Sequence, residues 1–283
     1  MSDTLKVLGQ YLIPQHGISL LMGKIADSEN TTIKNTFIKW FIKKYGVDMS
    51  IAERENPEDY KTFNDFFTRS LKPDVRPIYS DKNSIVHPAD GAVSQLGKID
   101  NGSIFQAKGH TYSAKTLLGG DAELAKPFQN GEFATVYLAP KDYHRLHMPI
   151  DGELTQMIHV PGKLFSVNPL TARNVPNLFA RNERVVTLFN TELGPMAMVL
   201  VGATIVGSVE TVWHGTITPP TRKQVQNWNY KQGEVSLKKG EEMGRFKLGS
   251  TIILLFPKDT VEWEKGMKPY ARTIMGEAIA YKK

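Results

Sequence analysis

Residues 185–209 read VVTLFNTELGPMAMVLVGATIVGSV. Three apolar runs rich in β-branched residues lie within them, Val185–Phe189, Met196–Val201 and Thr204–Val209, separated by short Gly- and Pro-containing breaks. Runs of this length and composition, punctuated in this way, read as strands joined by tight connections. Outward from this stretch the same texture recurs at Ala92–Leu96, Phe133–Leu138, Leu154–Val160 and Thr251–Phe256. No regular helices intervene, which argues against a doubly wound parallel sheet. Upstream, residues 1 to about 75 read as mainly helical. The helix over residues 32–45 places Ile33, Phe37, Trp40, Phe41 and Tyr45 within one broad arc, with Lys39 and Lys43 opposite. The apolar stretch Leu5 to Ile25 is broken around Pro14–Gly17 into two short helices. Asn56-Pro57-Glu58-Asp59 marks a further helix start, with Phe63, Phe66 and Phe67 as the apolar face after it. The expected fold class is α+β: a helical region, residues 1–75, packed on a mainly antiparallel β-rich core, residues 76–283. The Pro-Asn stretch Val167–Asn177 is expected to be a mobile loop.

Bulk composition narrows the chemistry. The chain has 283 residues, 41% hydrophobic and 23% charged, as in ordinary globular proteins. With no cysteine, thiol nucleophiles, disulfide scaffolds, zinc ribbons and iron–sulfur clusters are excluded. The net charge of +6 suits an anionic partner or simply a lysine-rich surface. Met1-Ser2-Asp3-Thr4-Leu5-Lys6 does not begin a secretory signal, and no uncharged apolar stretch approaches the ~20 residues of a spanning helix. Any membrane contact is therefore expected at the surface. The 32–45 helix could serve either as core packing or as an interfacial helix with Trp40 and Tyr45 as anchors.

Four local patterns could carry chemistry. His87-Pro88-Ala89-Asp90-Gly91 is a turn leading into a strand, and an Asp-Gly turn alone explains it. Asp142-Tyr143-His144-Arg145-Leu146-His147-Met148-Pro149 puts two histidines three apart. They are half of a metal set at most, and no metal site is expected. Backbone-bonded structural histidines and paired acid–base work both remain open. Pro161 to Pro169 contains Lys163 and the small polar loop Phe165-Ser166-Val167-Asn168, whose amides could bind a phosphate. Finally, Leu248-Gly249-Ser250-Thr251 opens an apolar strand close to the C-terminus. Gly249 removes bulk around its own carbonyl, which an attack by the neighbouring Ser250 hydroxyl requires.

Taken in order, these patterns resemble the bacterial, pyruvoyl-dependent phosphatidylserine decarboxylase family. Phe63-Asn64-Asp65-Phe66-Phe67, Asn174 to Arg184, Val201 to Ser208 and Gly215 to Pro220 add to the likeness, which runs from about residue 5 to residue 280. The resemblance implies autocatalytic serinolysis at Gly249–Ser250 by a charge relay of Asp90, His147 and Ser250. It implies a long fragment, 1–249, and a short one, 250–283, that stay together. Ser250 would become the pyruvoyl cofactor and Schiff-base site, and His144 the proton donor in decarboxylation. Phe165, Ser166, Val167 and Asn168 are the candidate substrate-binding loop. The implied partners are phosphatidylserine and an anionic phospholipid membrane, with a possible homodimer and no nucleic acid. The implied location is peripheral, on the cytoplasmic face of the cell membrane, with the N-terminal helices as the interfacial platform. A serine hydrolase using the same three residues and a non-enzymatic lipid-surface protein are the rivals; both would keep the chain intact.

Overall fold

A computed structural model of the chain describes residues 10, 15–204, 208–218, 224–247 and 250–283. The elements that position the site are β1 (Gly91–Lys98), β2 (Glu132–Leu138), β3 (Arg145–His147), β4 (Gly152–Val160), β5 (Arg184–Thr191), β6 (Gly194–Val201), β7 (Ser208–Thr211), β8 (Glu242–Lys247) and β9 (Ser250–Phe256). The largest sheet runs Gln226–Asn229, β4, β5, β6, β9, β2, β1, Arg272–Thr273, and every pairing in it is antiparallel. The stretch that first suggested strands forms its middle: β5 and β6 are a hairpin closing at Thr191↔Gly194, where Gly194 adopts φ 88°. That left-handed turn is the geometry glycine supplies without strain.

Strand β9 explains why its sequence does not alternate. Ile252, Leu254 and Phe256 join one core, and Ile253 and Leu255 join another on the opposite face. A strand covered on both faces reads as a continuous apolar run. Each of these side chains contributes roughly 1.5–3 kcal/mol by leaving water. The first core also draws Leu146 of β3, Val209 of β7 and Phe246 of β8 from a four-stranded sheet ordered Gly215–Thr216, β7, β8, β3. The second core is closed by the hairpin Ser103–Ala107/His110–Ser113 and by short helices.

The helical region is α1 (Gln15–Ala26), α2 (Thr31–Tyr45) and α3 (Phe63–Phe67). Asn30 caps α2 by accepting from the Thr32 and Ile33 amides, and Gly46 ends it at φ 67°. Thr62 caps α3. Ile38 and Phe41 of α2 pack with Phe63, Phe66 and Phe67 in a third apolar cluster.

Several expectations need adjusting. The apolar arc of α2 is split: Phe41 is buried, but Ile33 and Trp40 are 49% and 50% exposed, because α3 covers only one side of the helix. One strand was expected at Thr204–Val209; it is Ser208–Thr211, with Thr204 in a turn and residues 205–207 outside those described. Of the expected break at Pro14–Gly17, Pro14 lies outside the described residues and Gly17 lies inside α1. The Val167–Asn177 stretch contains a helix, Pro169–Asn174, instead of being loop throughout. Asn168 caps it, Pro169 occupies the first turn where no N–H is needed, and Thr171, Ala172 and Val175 are buried.

Candidate active site

The Gly249–Ser250 bond joins β8 to β9, and both strands are tied to the residues singled out in the sequence. Strand β9 starts with Ser250 opposite Leu138 of β2. One residue on, Tyr137 pairs with Ala92, so the His87–Gly91 segment reaches the same end of the sheet. A side chain at Gly91 would lie 2.3 Å from the Tyr137 carbonyl oxygen, so the chain enters β1 this closely only with glycine. On the other side of β9, Thr251 pairs with Val201, Gly202 donates to the Glu183 carbonyl, and Asn182 Nδ2 donates to the carbonyls of Gly202 and Phe165. The Phe165–Asn168 loop is thereby tied to the same end. Strand β8 pairs with β3, with His147 opposite Glu242 and the Phe246 amide donating to the His144 carbonyl. His147 donates its own amide to Pro88.

Asp90 does not make the simple Asp-Gly turn. Its carboxylate accepts from Arg76 through both Nε and Nη2, at 2.9 and 2.6 Å, and from the Met275 amide at 2.9 Å. His147 is held by other groups. Its Nδ1 lies 2.8 Å from the Gly240 carbonyl oxygen and its Nε2 lies 3.1 Å from the Tyr143 hydroxyl. A carbonyl only accepts, so Nδ1 carries the proton and Nε2 accepts from the phenol. The structure therefore brings Asp90 and His147 into electrostatic range of each other without a hydrogen bond between them among the described residues. Burial pulls the His147 pKa down, while the Gly240 carbonyl and the charges of Glu242 and Asp90 push it back up. Burial also raises the Tyr143 phenol well above its usual range.

His144 is fully buried, with Nδ1 2.8 Å from the Asp142 carbonyl and its ring centroid 4.0 Å from that of Phe67. Burial lowers its pKa to about 3, with a smaller push from Arg69, so the imidazole is neutral. Its Nδ1–H is committed to a carbonyl, and Nε2 is left without a partner among the described residues. His87 is alike in this respect: it is buried, its Nδ1 has no partner among the described residues, and burial lowers its pKa to about 4.

The loop Phe165–Asn168 is only partly open. Phe165 and Val167 belong to the second core, the Ser166 amide donates to Gln10, and Asn168 is spent on capping. Several residues around the histidines had no sequence signal as site residues: Arg69, Arg76, Gly240 and Met275. Arg69 and Arg76 lie in Thr68–Pro77, between the apolar face at Phe63–Phe67 and the first strands. Two arginines flanking a loop between apolar elements were the available cue.

A family model described as phosphatidylserine decarboxylase matches residues 63–281, and a second, described as PSD, matches residues 5–46. The chain is 62% identical over 282 residues to the phosphatidylserine decarboxylase proenzyme of Shewanella sp. (strain ANA-3), covering 98% of this chain and 97% of that protein. The proenzyme of Shewanella baltica (strain OS155 / ATCC BAA-1091) is 62% identical with the same coverage. That of Shewanella amazonensis (strain ATCC BAA-1098 / SB2B) is 61% identical over 98% of each chain. Matched along nearly its whole length, the chain belongs to the phosphatidylserine decarboxylase family.

Proposed function

We propose that this protein decarboxylates phosphatidylserine to phosphatidylethanolamine after cutting itself between Gly249 and Ser250. The observation that supports it best is that Ser250 pairs with Leu138 at the sheet end reached by the Asp90 segment, while the His144 carbonyl accepts from Phe246 of β8 and the His147 amide donates to Pro88, in a chain that belongs to this family. In the first stage His147 Nε2 accepts the Ser250 hydroxyl proton, directly or across Tyr143, as the oxygen attacks the Gly249 carbonyl. The carbon–nitrogen bond breaks, the proton passes to the departing amine, and an ester links the two residues. Asp90 favours the transient imidazolium through space. Removal of the Ser250 α-proton then expels the Gly249 carboxylate, and hydrolysis of the remaining dehydroalanine releases ammonia. Residues 251–256 stay in place, because β9 is paired on both sides, with β2 and β6.

A pyruvoyl group formed from Ser250 would fit this position, since its strand is anchored independently of the broken bond and the backbone of His144, whose buried Nε2 has no partner among the described residues, is hydrogen-bonded to β8. When present, that group supplies the electron sink for loss of carbon dioxide. The histidine supplies proton traffic. The substrate amine arrives protonated and must shed a proton; the bare Nε2 of neutral His144 can take it and later return it to the former α-carbon. Phe67 and the surrounding core keep water from that nitrogen.

The helices suit an anionic bilayer surface. Leu21, Ile33, Trp40 and Tyr45 are exposed apolar groups interspersed with Lys24, Lys39, Lys43 and Lys44. No helix among the described residues is long and apolar enough to cross a membrane. Phe41 contacts Phe67, and Phe67 contacts His144, so this face connects to the site through two aromatic contacts.

Intact mass under denaturing conditions tests the reading. Wild type is expected as fragments 1–249 and 250–283, and Ser250→Ala as one chain. An uncut, folded wild type that reacts with a fluorophosphonate at Ser250 would instead indicate a serine hydrolase. His144→Ala is expected to self-cleave yet lose at least ~100-fold in decarboxylation, the scale of a lost general acid. If it blocks cleavage, the division of labour between the two histidines is wrong.

A further inference from the structure

Arg69 is 2% exposed, yet Nε and Nη1 of its guanidinium have no hydrogen-bond partner among the described residues. Nη2 donates to the Lys141 carbonyl at 3.1 Å, and the guanidinium carbon lies 5.6 Å from the Phe66 ring centroid. At least three of its five N–H groups thus lack an acceptor among the described residues. No carboxylate among the described residues comes within 4.0 Å; Asp90 is taken by Arg76 and Met275, and Asp142 accepts from the Ala139 amide. The placement is fixed. Arg145 of β3 donates to the Thr68 carbonyl and the Ser70 hydroxyl, clamping both neighbours of Arg69 to the strand that carries His147. The Lys141 carbonyl lies three residues before His144, whose neutral form Arg69 favours electrostatically.

A buried cation with neither a counter-charge nor acceptors for most of its N–H groups is strongly disfavoured, and natural chains rarely keep one unless something completes it. His144 Nε2, also buried and unpartnered, belongs to the same neighbourhood. We propose that Arg69 receives an anionic oxygen group of the phosphoserine headgroup, placing the substrate against His144. The proposal rests on the decarboxylase reading above. The headgroup offers two such groups, the carboxylate and the phosphodiester, and both suit a guanidinium fork. A cation on the carboxylate would hold back its departure, which favours the phosphodiester.

Arg69→Met and Arg69→Lys, made in the full chain, test this. Both are expected to self-cleave. Arg69→Met should keep or raise Tm, since it removes an uncompensated charge. Its KM for phosphatidylserine in mixed micelles should rise tenfold or more, with kcat within about threefold; Arg69→Lys should fall between it and wild type. Inhibition by phosphatidylethanolamine, which lacks the carboxylate, separates the sources: weakened inhibition assigns the phosphodiester, unchanged inhibition the carboxylate. A KM within twofold of wild type in Arg69→Met overturns the proposal. So does loss of folding or self-cleavage in that variant, which would place Arg69 in the framework. Failure of the decarboxylase reading would show separately, in unmutated protein that neither cuts itself nor releases carbon dioxide.

Discussion

Two buried arginines, equally hidden from water, sit in polar surroundings of opposite character. Arg184 is 2% exposed and spends its guanidinium on four carbonyls: Thr116, Leu117, Ala180 and Asn182, at 2.6–2.9 Å. Around it, Gln106 bonds Ala172, Val175 and Leu178, and Asn182 bonds Phe165 and Gly202. None of these three side chains has an unpartnered polar atom. Around Asp90 and His144, Arg69, His87 and His144 each leave at least one buried nitrogen unpaired among the described residues. The first set is fully paired and ties loops and short helices to the sheet. The second is incompletely paired, and the proposals above give its free donors and acceptors to the substrate. Burial is the same in both; what differs is how far the hydrogen bonds are satisfied.

The largest expected effect breaks the framework side. Arg184→Met strands four buried carbonyl oxygens, and removing the hub of such a network costs on the order of 3–5 kcal/mol. Thermal unfolding should then show a Tm drop of about 10 °C. Under the same conditions Arg69→Met should show no drop. Equal losses in the two variants would erase the contrast.

The second effect is acid lability, and it belongs to the site. His87 and His144 have folded pKa values of about 4 and about 3, below the ordinary 6.5, because burial disfavours their charged forms. A histidine with a depressed folded pKa contributes full stability above the unfolded pKa. That contribution is lost as pH falls from about 6.5 toward the folded value, since the unfolded chain binds the proton first. Denaturant unfolding should give a plateau above pH 6.5 and a decline below it. His87→Gln should flatten the decline by roughly 1 kcal/mol per pH unit between pH 6 and 4. An unchanged slope would mean that His87 takes a proton in the folded state at ordinary pH.

Much of this was legible in the sequence, for physical reasons. Apolar runs between turn residues announce strands, and six of the seven runs read from sequence lie within the large sheet because pleating and burial act locally. The site was legible only as spacing. Gly91 and Gly249 hint at close approach or attack at a carbonyl, but nothing local says that Asp90 will meet Arg76 and Met275, 14 and 185 residues away. The arc of α2 was read as one face because periodicity cannot tell which part α3 will cover. Asn168-Pro169 looked like a loop break although it is a helix start, since the same residues serve both. Arg69 was invisible because an orphaned donor is a property of three-dimensional surroundings, not of neighbours in the chain.

The smallest effect tests how His147 is held. The ring stands between one acceptor, the Gly240 carbonyl, and one hydroxyl, that of Tyr143. Of its two contacts, the carbonyl fixes the tautomer, because it accepts only from a protonated Nδ1. The hydroxyl fills the Nε2 side and steadies the ring. Tyr143→Phe removes that second contact and leaves the first, so the tautomer should survive while one buried hydrogen bond is lost. A bond of this kind contributes about 1–2 kcal/mol, which predicts self-cleavage slowed roughly 5- to 30-fold. Nitrogen-15 spectra of His147 in the uncut Ser250→Ala chain, with and without Tyr143→Phe, separate the two contacts. Both should show Nδ1 protonated. A ring that switches to Nε2–H when the phenol is removed would mean that Tyr143, not Gly240, sets the tautomer, and His147 would then resemble the incompletely held groups around it more than its two hydrogen bonds suggest.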